Sequence, residues 1–448
     1  MRNDNLTIFA LSSAPGRAGL AVIRISGAEA ISAAETLAGA PLPTRRASLH
    51  TLRDPGSGDA LDHALVLTFA SPASFTGEDV AELHIHGGTA VVAGVLAALA
   101  RIDGLRLAEP GEFSRRAFEN ARLDLTEAEG LADLIAAETE AQRRQALAQM
   151  RGALADLYAS WRDRLLEAEA LMAASLDFAD EADVPGGSGE LESRIHDLAD
   201  DLAREIAAHL NDQNRGEILR DGFRVVLAGP TNAGKSSLLN ALARRDVAIT
   251  SPEPGTTRDV IEARLNIAGL PIIIADTAGL RATTVAIESE GMRRALAESR
   301  SADLVLWLSD NTKPTLPPSD LQSGSQGRTI TVATKSDLRP SPAPPDMADL
   351  EISALTGAGL PELIALIGEA AKTRTGPCEQ APLTRQRHRA HLEECLAEIS
   401  HYLETRHPYP ELAAEDLRRA RDALGRVTGH VKTEDVLDRI FADFCIGK

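Results

Sequence analysis

The chain has 448 residues, 44% hydrophobic, 25% charged and only 3% aromatic, which leaves room for two to four domains of ordinary globular composition whose cores Leu, Ala, Val and Ile must fill. A net charge of −19 excludes general nucleic-acid affinity, which depends on a basic surface neutralising phosphates, so any RNA contact has to use a local patch. Three scattered cysteines, Cys378, Cys395 and Cys445, make neither a disulfide framework nor a Cys-rich zinc site; apolar runs fall short of a membrane span and residues 1–11 lack a signal-peptide core, so a cytoplasmic protein without a membrane role is expected.

Residues 1–118 read as a domain mixing strands and helices. Strand-like runs at 6–11, 20–25, 64–69 and 80–86 alternate with turn-rich segments such as Ala14-Pro-Gly-Arg17 and Asp54-Pro-Gly-Ser-Gly58. Helices are predicted near 29–37 and 89–99. His84 and His86 share one strand face, but no third ligand stands nearby, so hydrogen-bonded or surface histidines are expected rather than a metal pair. From Glu112 to about Leu176 the composition turns to Ala, Leu, Glu and Arg with few breakers, which predicts a long helical segment. After a loop at 181–189, Leu191, Ile195, Leu198, Leu202, Ile206 and Leu210 recur at spacings of three and four, the core stripe of a bundle helix.

The segment Gly229-Pro-Thr-Asn-Ala-Gly-Lys-Ser236 lies between an apolar run at 223–228 and a helix-like run at 237–244. That is the phosphate-loop pattern: glycines let backbone amides turn toward a polyphosphate, and the new helix adds its positive end. Lys235 is placed to reach the β and γ phosphates, and Ser236 to offer a hydroxyl to Mg²⁺; Asn232, Ala233, Gly234 and Ser237 complete this part of the candidate site. Strand-like runs at 260–267 and 271–275, joined at 268–270, are followed by others at 304–308, 329–333 and 350–352. Their alternation with helical or loop sequence predicts a largely parallel sheet covered by helices, over about 222–372. Proline-rich residues 373–383 look like the exit, and the chain is helical again over 384–444. Helical sequence on both sides predicts a phosphate-loop domain inserted into a helical one.

Asp276-Thr277-Ala278-Gly279 follows the second strand of the hairpin, where a carboxylate can hold Mg²⁺ through water and an amide can sense a γ-phosphate. Gly255-Thr-Thr-Arg-Asp259 supplies Thr257, a second hydroxyl for the metal, with Ser251 and Thr256 nearby. Thr334-Lys335-Ser-Asp337 and Ser353-Ala354 end later strands. The Asp337 carboxylate can accept from the N1 and N2 edge of guanine, whereas adenine would leave it unpaired, so GTP is expected over ATP. Leu280 stands where Ras-type GTPases carry a water-orienting glutamine, and no arginine finger is identifiable. Hydrolysis is therefore either slow or served by another positive charge and another water-orienting group.

The chain resembles the MnmE (TrmE) family of tRNA-modifying GTPases, among the TrmE-Era-Septin-like P-loop GTPases, along its whole length. The likeness rests on Pro15-Gly-Arg17, Val22-Ile-Arg-Ile-Ser-Gly27, Phe75-Thr-Gly-Glu-Asp79 with His86-Gly-Gly88, Pro110-Gly-Glu-Phe-Ser114, the GTPase motifs and the terminal Phe444-Cys-Ile-Gly-Lys448. It implies a multidomain fold: an α+β N-terminal domain (1–118) that binds tetrahydrofolate and dimerises, an all-α helical domain in two segments (119–218 and 378–448), and an inserted α/β G domain (219–377). It also implies a homodimer, acting with an FAD-dependent MnmG-type partner to add an aminomethyl or carboxymethylaminomethyl group to C5 of the wobble uridine (U34) of certain tRNAs. A one-carbon unit from formyl- or methylene-tetrahydrofolate is involved, and GTP hydrolysis needs K⁺ as well as Mg²⁺. By position, Asn232 matches a K⁺ ligand, with the backbone of the Ser251, Glu253 and Thr256 loop completing the shell. Ser236 and Thr257 match the Mg²⁺ ligands, Glu288 the residue that orients the attacking water, and Arg24, Glu82, Arg122 and Lys448 the folate contacts. The chain departs from the family pattern at Thr231, at Thr334 in place of Asn, and at Arg122 in place of Lys. A GTP-dependent assembly or signalling switch without modification chemistry is the alternative; it accounts for the G domain but not for the terminal motifs.

Overall fold

The computed structural model describes residues 6–178, 187–245, 247–249, 262–276, 302–319, 321, 328–338, 348–376, 381–405, 410–431, 434–442, 444 and 446–447. Of the residues singled out above, Ser251, Glu253, Thr256, Thr257, Thr277, Ala278, Gly279, Leu280, Glu288, Cys378, Cys445 and Lys448 lie outside the described residues. The chain forms two compact units, residues 1–132 with 425–448, and residues 133–424. Residues 119–132 and 425–448, grouped by composition with the helical segments, thus belong to the unit that contains the N-terminal sheet.

The first unit is built on a six-stranded sheet of order β3-β4-β5-β2-β1-β6, from β1 (Thr7–Leu11), β2 (Ala21–Ser26), β3 (Ser48–Arg53), β4 (Ala60–Phe69), β5 (Val80–Ile85) and β6 (Leu105–Leu107). Neighbours are antiparallel except β1 and β6. Period-two patterning decides the faces: Ile23, Ile25, Leu83 and Ile85 pack with α1 (Ala30–Ala38) and α2 (Thr89–Leu99), while Arg24 and Glu82 point the other way as a directly opposed pair. The sequence pattern missed β3, which buries only Leu52 fully, and β6, which is three residues long. The helical segment predicted from Glu112 to about Leu176 is four consecutive helices: α3 (Glu112–Glu119), α4 (Leu125–Ala136), α5 (Glu140–Met150) and α6 (Ala153–Phe178). Its interruptions have local causes. The Asp124 carboxylate accepts from the Glu127 amide at 2.7 Å, Thr139 and Gln142 form a capping box, and Gly152 sits at φ +91°. Phe118, Leu125 and Ala128 make a small core with Leu437 and Phe441 of the C-terminal helix Glu434–Ala442 and with Phe444.

In the second unit, α6 packs on α7 (Gly187–Leu210), whose Ile195, Leu202 and Ile206 are fully buried. Short α8 (Arg215–Asp221) leads into a second six-stranded sheet, of order β12-β11-β10-β7-β9-β8. Its elements run β7 (Phe223–Ala228), α9 (Lys235–Ala243), β8 (Glu262–Ile267), β9 (Leu270–Asp276), β10 (Leu304–Asp310), β11 (Arg328–Thr334) and β12 (Leu350–Glu351), and then α10 (Leu360–Thr375). Pairing is parallel except for the β8–β9 hairpin, which turns at Ala268 and Gly269, both at positive φ, the twist-matched geometry of a two-residue hairpin. Near-continuous apolar strands mark a sheet covered on both faces, and Val225, Leu227, Leu238, Ile274, Leu306 and Ile367 share one core. Helix α11 (Gln386–Glu404) packs on α7, and α12 (Pro410–Thr428) comes after it.

Candidate functional site

The nucleotide site grows from the carboxyl ends of parallel strands, where α/β sheets place their ligands. After β7 the chain turns at Gly229 (φ +145°), where a Cβ would overlap the Leu308 carbonyl oxygen, so glycine is required. Asn232 (φ +64°) and Gly234 (φ +89°) hold left-handed backbone, a conformation Asn tolerates better than most residues. Gly234 caps α9, whose positive end therefore opens onto the loop. The Lys235 ammonium donates to the Gly229 and Pro230 carbonyls at 2.8 and 2.9 Å. Its burial pulls its pKa below the usual lysine value, against the charge of Asp276. The Ser236 hydroxyl donates to Asp276 Oδ2 at 2.8 Å, and Asp276, ending β9, is buried. A hydroxyl and a carboxylate held side by side next to a phosphate loop are hard oxygen donors of the kind Mg²⁺ takes.

The Thr334–Asp337 loop is tied to this loop. The Thr334 hydroxyl, buried at the end of β11, donates to the Ala233 carbonyl at 2.7 Å. Exposed Asp337 accepts from the Ser353 hydroxyl at 2.5 Å, while Ser353 itself is fully buried. Ser353 also accepts from the Thr356 amide, which fixes its oxygen, and Ala354 comes next at the start of the turn. Lys335 (φ +58°) pairs with Asp310 at 2.6 Å. Burial pushes the Asp310 carboxyl up, but the bonds from Lys335 and Thr312 outweigh it and hold its pKa below the ordinary value. Sequence reading did not find Asp310; its position at the end of β10, beside Lys335 across the sheet, was the available signal.

Arg24 and Glu82 form a second cluster in the first unit. Arg24 Nε and Nη2 donate to Glu82 Oε1 at 3.0 and 2.9 Å, and the guanidinium lies 5.3 Å from the centroid of the Phe75 ring and 5.9 Å from that of Phe113. Arg122 is exposed, with its stem beside Gly77 in the loop that carries Phe75. Gly447 is held by a 2.8 Å bond from the Ser12 hydroxyl to its carbonyl, and Ile446 bridges Pro110. The residue preceding Lys448 is thereby anchored at the end of β1. His84 lies 3.4 Å from Glu82 and His86 2.7 Å from Asp62; no group of three metal-capable side chains occurs among the described residues. Sequence reading also missed a buried ion network. Arg116 bonds Glu78 at 3.0 Å, Glu112 at 3.2 Å and the Leu6 carbonyl at 2.8 Å, and Arg106 bonds Glu112 at 2.8 Å. Its acids lie within the Phe75–Asp79 and Pro110–Ser114 motifs, which was the signal for it.

Two family profiles match the chain: the GTP-binding protein TrmE N-terminus over residues 7–122 and the MnmE helical domain over residues 125–445. A protein of Methylobacterium radiotolerans named tRNA modification GTPase MnmE is 52% identical, covering 100% of both chains. One of the same name from Parvibaculum lavamentivorans is 52% identical over 99% of this chain and 100% of its own. Among solved structures, the G domain of the T. maritima FeoB iron transporter is 26% identical, covering 33% of this chain and 98% of that one at a TM-score of 0.24. With the phosphate loop, the Thr334–Asp337 loop and the N-terminal motifs in one chain, and with half its residues shared end to end with these relatives, the chain belongs to the MnmE family of tRNA modification GTPases.

Proposed function

We propose that the chain hydrolyses GTP and uses that cycle in modifying C5 of the wobble uridine of tRNA. The observation that carries the reading is the continuous linkage from Asp276 through Ser236 and the phosphate loop to Thr334, the strand end that leads to Asp337. One nucleotide can be gripped by phosphate and by base on a single rigid sheet. In this reading Ser236 and Thr257 hold Mg²⁺. The Asn232 side chain and the backbone of Ser251, Glu253 and Thr256 hold K⁺ in place of an arginine finger, and Glu288 orients the attacking water where Leu280 cannot. Arg24, Glu82, Arg122 and Lys448 take the folate. The Arg24–Glu82 pair over two aromatic rings supports this, since it offers charge and stacking surface to a pterin-like ring. The functional form is a cytoplasmic homodimer with an FAD-dependent MnmG-type partner, organised as an N-terminal domain (1–118), a G domain (219–377) and a helical domain in two segments. Among the described residues no helix is long and apolar enough to cross a membrane.

GTP turnover measured in KCl and in NaCl tests the ion assignment, and Asn232→Ala is expected to lose the K⁺ response while still binding nucleotide through Lys235 and the loop amides. Equal turnover in the two salts would overturn it. Nucleoside mass spectrometry of tRNA from a deletion strain complemented with Arg24→Ala tests the folate assignment: unmodified wobble uridine is expected, and full modification would refute the role of Arg24.

A further inference from the structure

The Arg116 guanidinium, buried on α3, joins the chain segments that hold Arg24 and its two aromatic rings. Its Nη1 donates to the Glu78 carboxylate at 3.0 and 3.2 Å and to the Ser26 carbonyl at 3.5 Å. Its Nη2 donates to Glu112 at 3.2 Å and to the Leu6 carbonyl at 2.8 Å. Ser26 ends β2, the strand of Arg24, and Glu78 lies in the loop of Phe75. The Ser26 hydroxyl donates to Glu78 at 2.7 Å and lies 2.7 Å from the Thr76 hydroxyl, with Ser26 and Thr76 both fully buried. Asn120, at the end of α3, adds a 2.7 Å bond to the Thr76 carbonyl. The loop carrying Phe75, the helix carrying Phe113 and the strand carrying Arg24 thus meet at one side chain, and the two rings stand 5.3 and 5.9 Å from the Arg24 guanidinium. What remains exposed of Arg116 opens onto a groove of about 670 Å³ whose lining includes none of Arg24, Glu82, Phe75 and Phe113.

We propose that Arg116 is a positioning residue for the Arg24–Glu82 site. It fixes the Phe75 loop and α3 to β2, sets the two rings against the Arg24 guanidinium, and so shapes the surface that a pterin-like ring meets without touching that ring itself. A planar fork is what this requires. A guanidinium presents five donors in fixed directions and can hold two carboxylates and two carbonyls at once, whereas an ammonium keeps the attraction and loses the directions. A buried network whose members are satisfied in this way rigidifies what it joins. Arg115, the neighbouring arginine of α3, is the matched control: its carboxylate partners are Glu119 at 2.9 Å and Asp438 at 2.6 Å, on α3 and on the C-terminal helix. The ligand named here rests on the folate assignment; the geometry stands without it.

Two measurements on the full chain test ligand and geometry separately. Binding of formyltetrahydrofolate, followed by isothermal titration calorimetry, is expected to weaken about tenfold or more in Arg116→Lys and to stay within about threefold of the parent in Arg115→Lys. The Arg24 Nε–H resonance of protein carrying isotope-labelled arginine, assigned by its loss in Arg24→Lys, reports the rings around it. It is expected to move in Arg116→Lys and to stay in place in Arg115→Lys. An Arg116→Lys protein that binds the folate as the parent does overturns the proposal. So does an equal loss in both variants, which makes the network a support for the fold alone. If the parent binds no folate at about 1 mM, the folate assignment fails and the resonance decides: an Arg24 signal unmoved by Arg116→Lys overturns the positioning role, and a moved one upholds it. Far-UV circular dichroism melts establish that each variant is folded. Glu78→Gln, which loosens the loop from the other end of the same ion pair, takes the place of Arg116→Lys if that chain does not fold.

Discussion

Thr334→Val isolates the tie between the Thr334–Asp337 loop, proposed to read the base, and the phosphate loop. The replacement keeps the shape of a side chain that is 4% exposed and removes one hydroxyl, whose proton goes to the Ala233 carbonyl at 2.7 Å with the Ser309 carbonyl at 3.3 Å. Leaving a buried carbonyl without its donor costs about 1–3 kcal/mol. Where the tie preorganises both loops for one nucleotide, the ordering cost shifts onto binding; about 1.4 kcal/mol of it is a tenfold change in affinity. Titration with a fluorescent guanine nucleotide is therefore expected to give a Kd about tenfold higher for Thr334→Val and within about threefold of the parent for Thr334→Ser, which keeps the donor. A valine protein with unchanged affinity and unchanged urea midpoint would show that the two loops are positioned independently of this bond.

Asp337→Asn replaces an acceptor oxygen with a donor, so preference should move from GTP toward xanthosine triphosphate; unchanged GTP affinity in competition would displace the base pocket from Asp337. Burial raises the Glu112 pKa, but the bonds from Arg106 and the Glu109 amide and the charges of Arg106 and Arg116 more than reverse this, holding it below its ordinary 4.5. Its stabilisation is thus complete above that value and fades as pH falls through the lower folded pKa. Glu112→Gln should lower the urea midpoint for exposure of α3, read by hydrogen exchange, at pH 7, with the gap to the parent closing below about pH 4.5; a gap that widens in acid would contradict the sign. Cys395 is fully buried and its thiol is pushed up to about 12 by burial, with Glu394 and Glu398 adding to the effect. In a Cys378→Ser, Cys445→Ser background it should resist a disulfide reagent at pH 8 until denaturant is added, and rapid native labelling would refute its enclosure.

Much of the G sheet was legible in the sequence because its information is local. A glycine-rich loop needs particular backbone at Gly229 and Gly234, a strand covered on both faces needs an unbroken apolar run such as 304–308, and the phosphate-loop pattern itself singles out Lys235. The breaks that divide residues 112–178 into four helices were also written locally, at Asp124, Thr139 and Gly152, but a composition dominated by helix formers masked them, since capping contributes only about 1 kcal/mol per site against propensity summed along the run. Contacts between residues distant in sequence were decided by the tertiary structure alone: the hold of Ser12 on Gly447, the Arg116 network with Glu78 and Glu112, and the hydroxyl that joins Thr334 to Ala233. The same holds for β3 and β6, whose few buried side chains carry little pattern and which are strands because a neighbouring strand offers them hydrogen bonds.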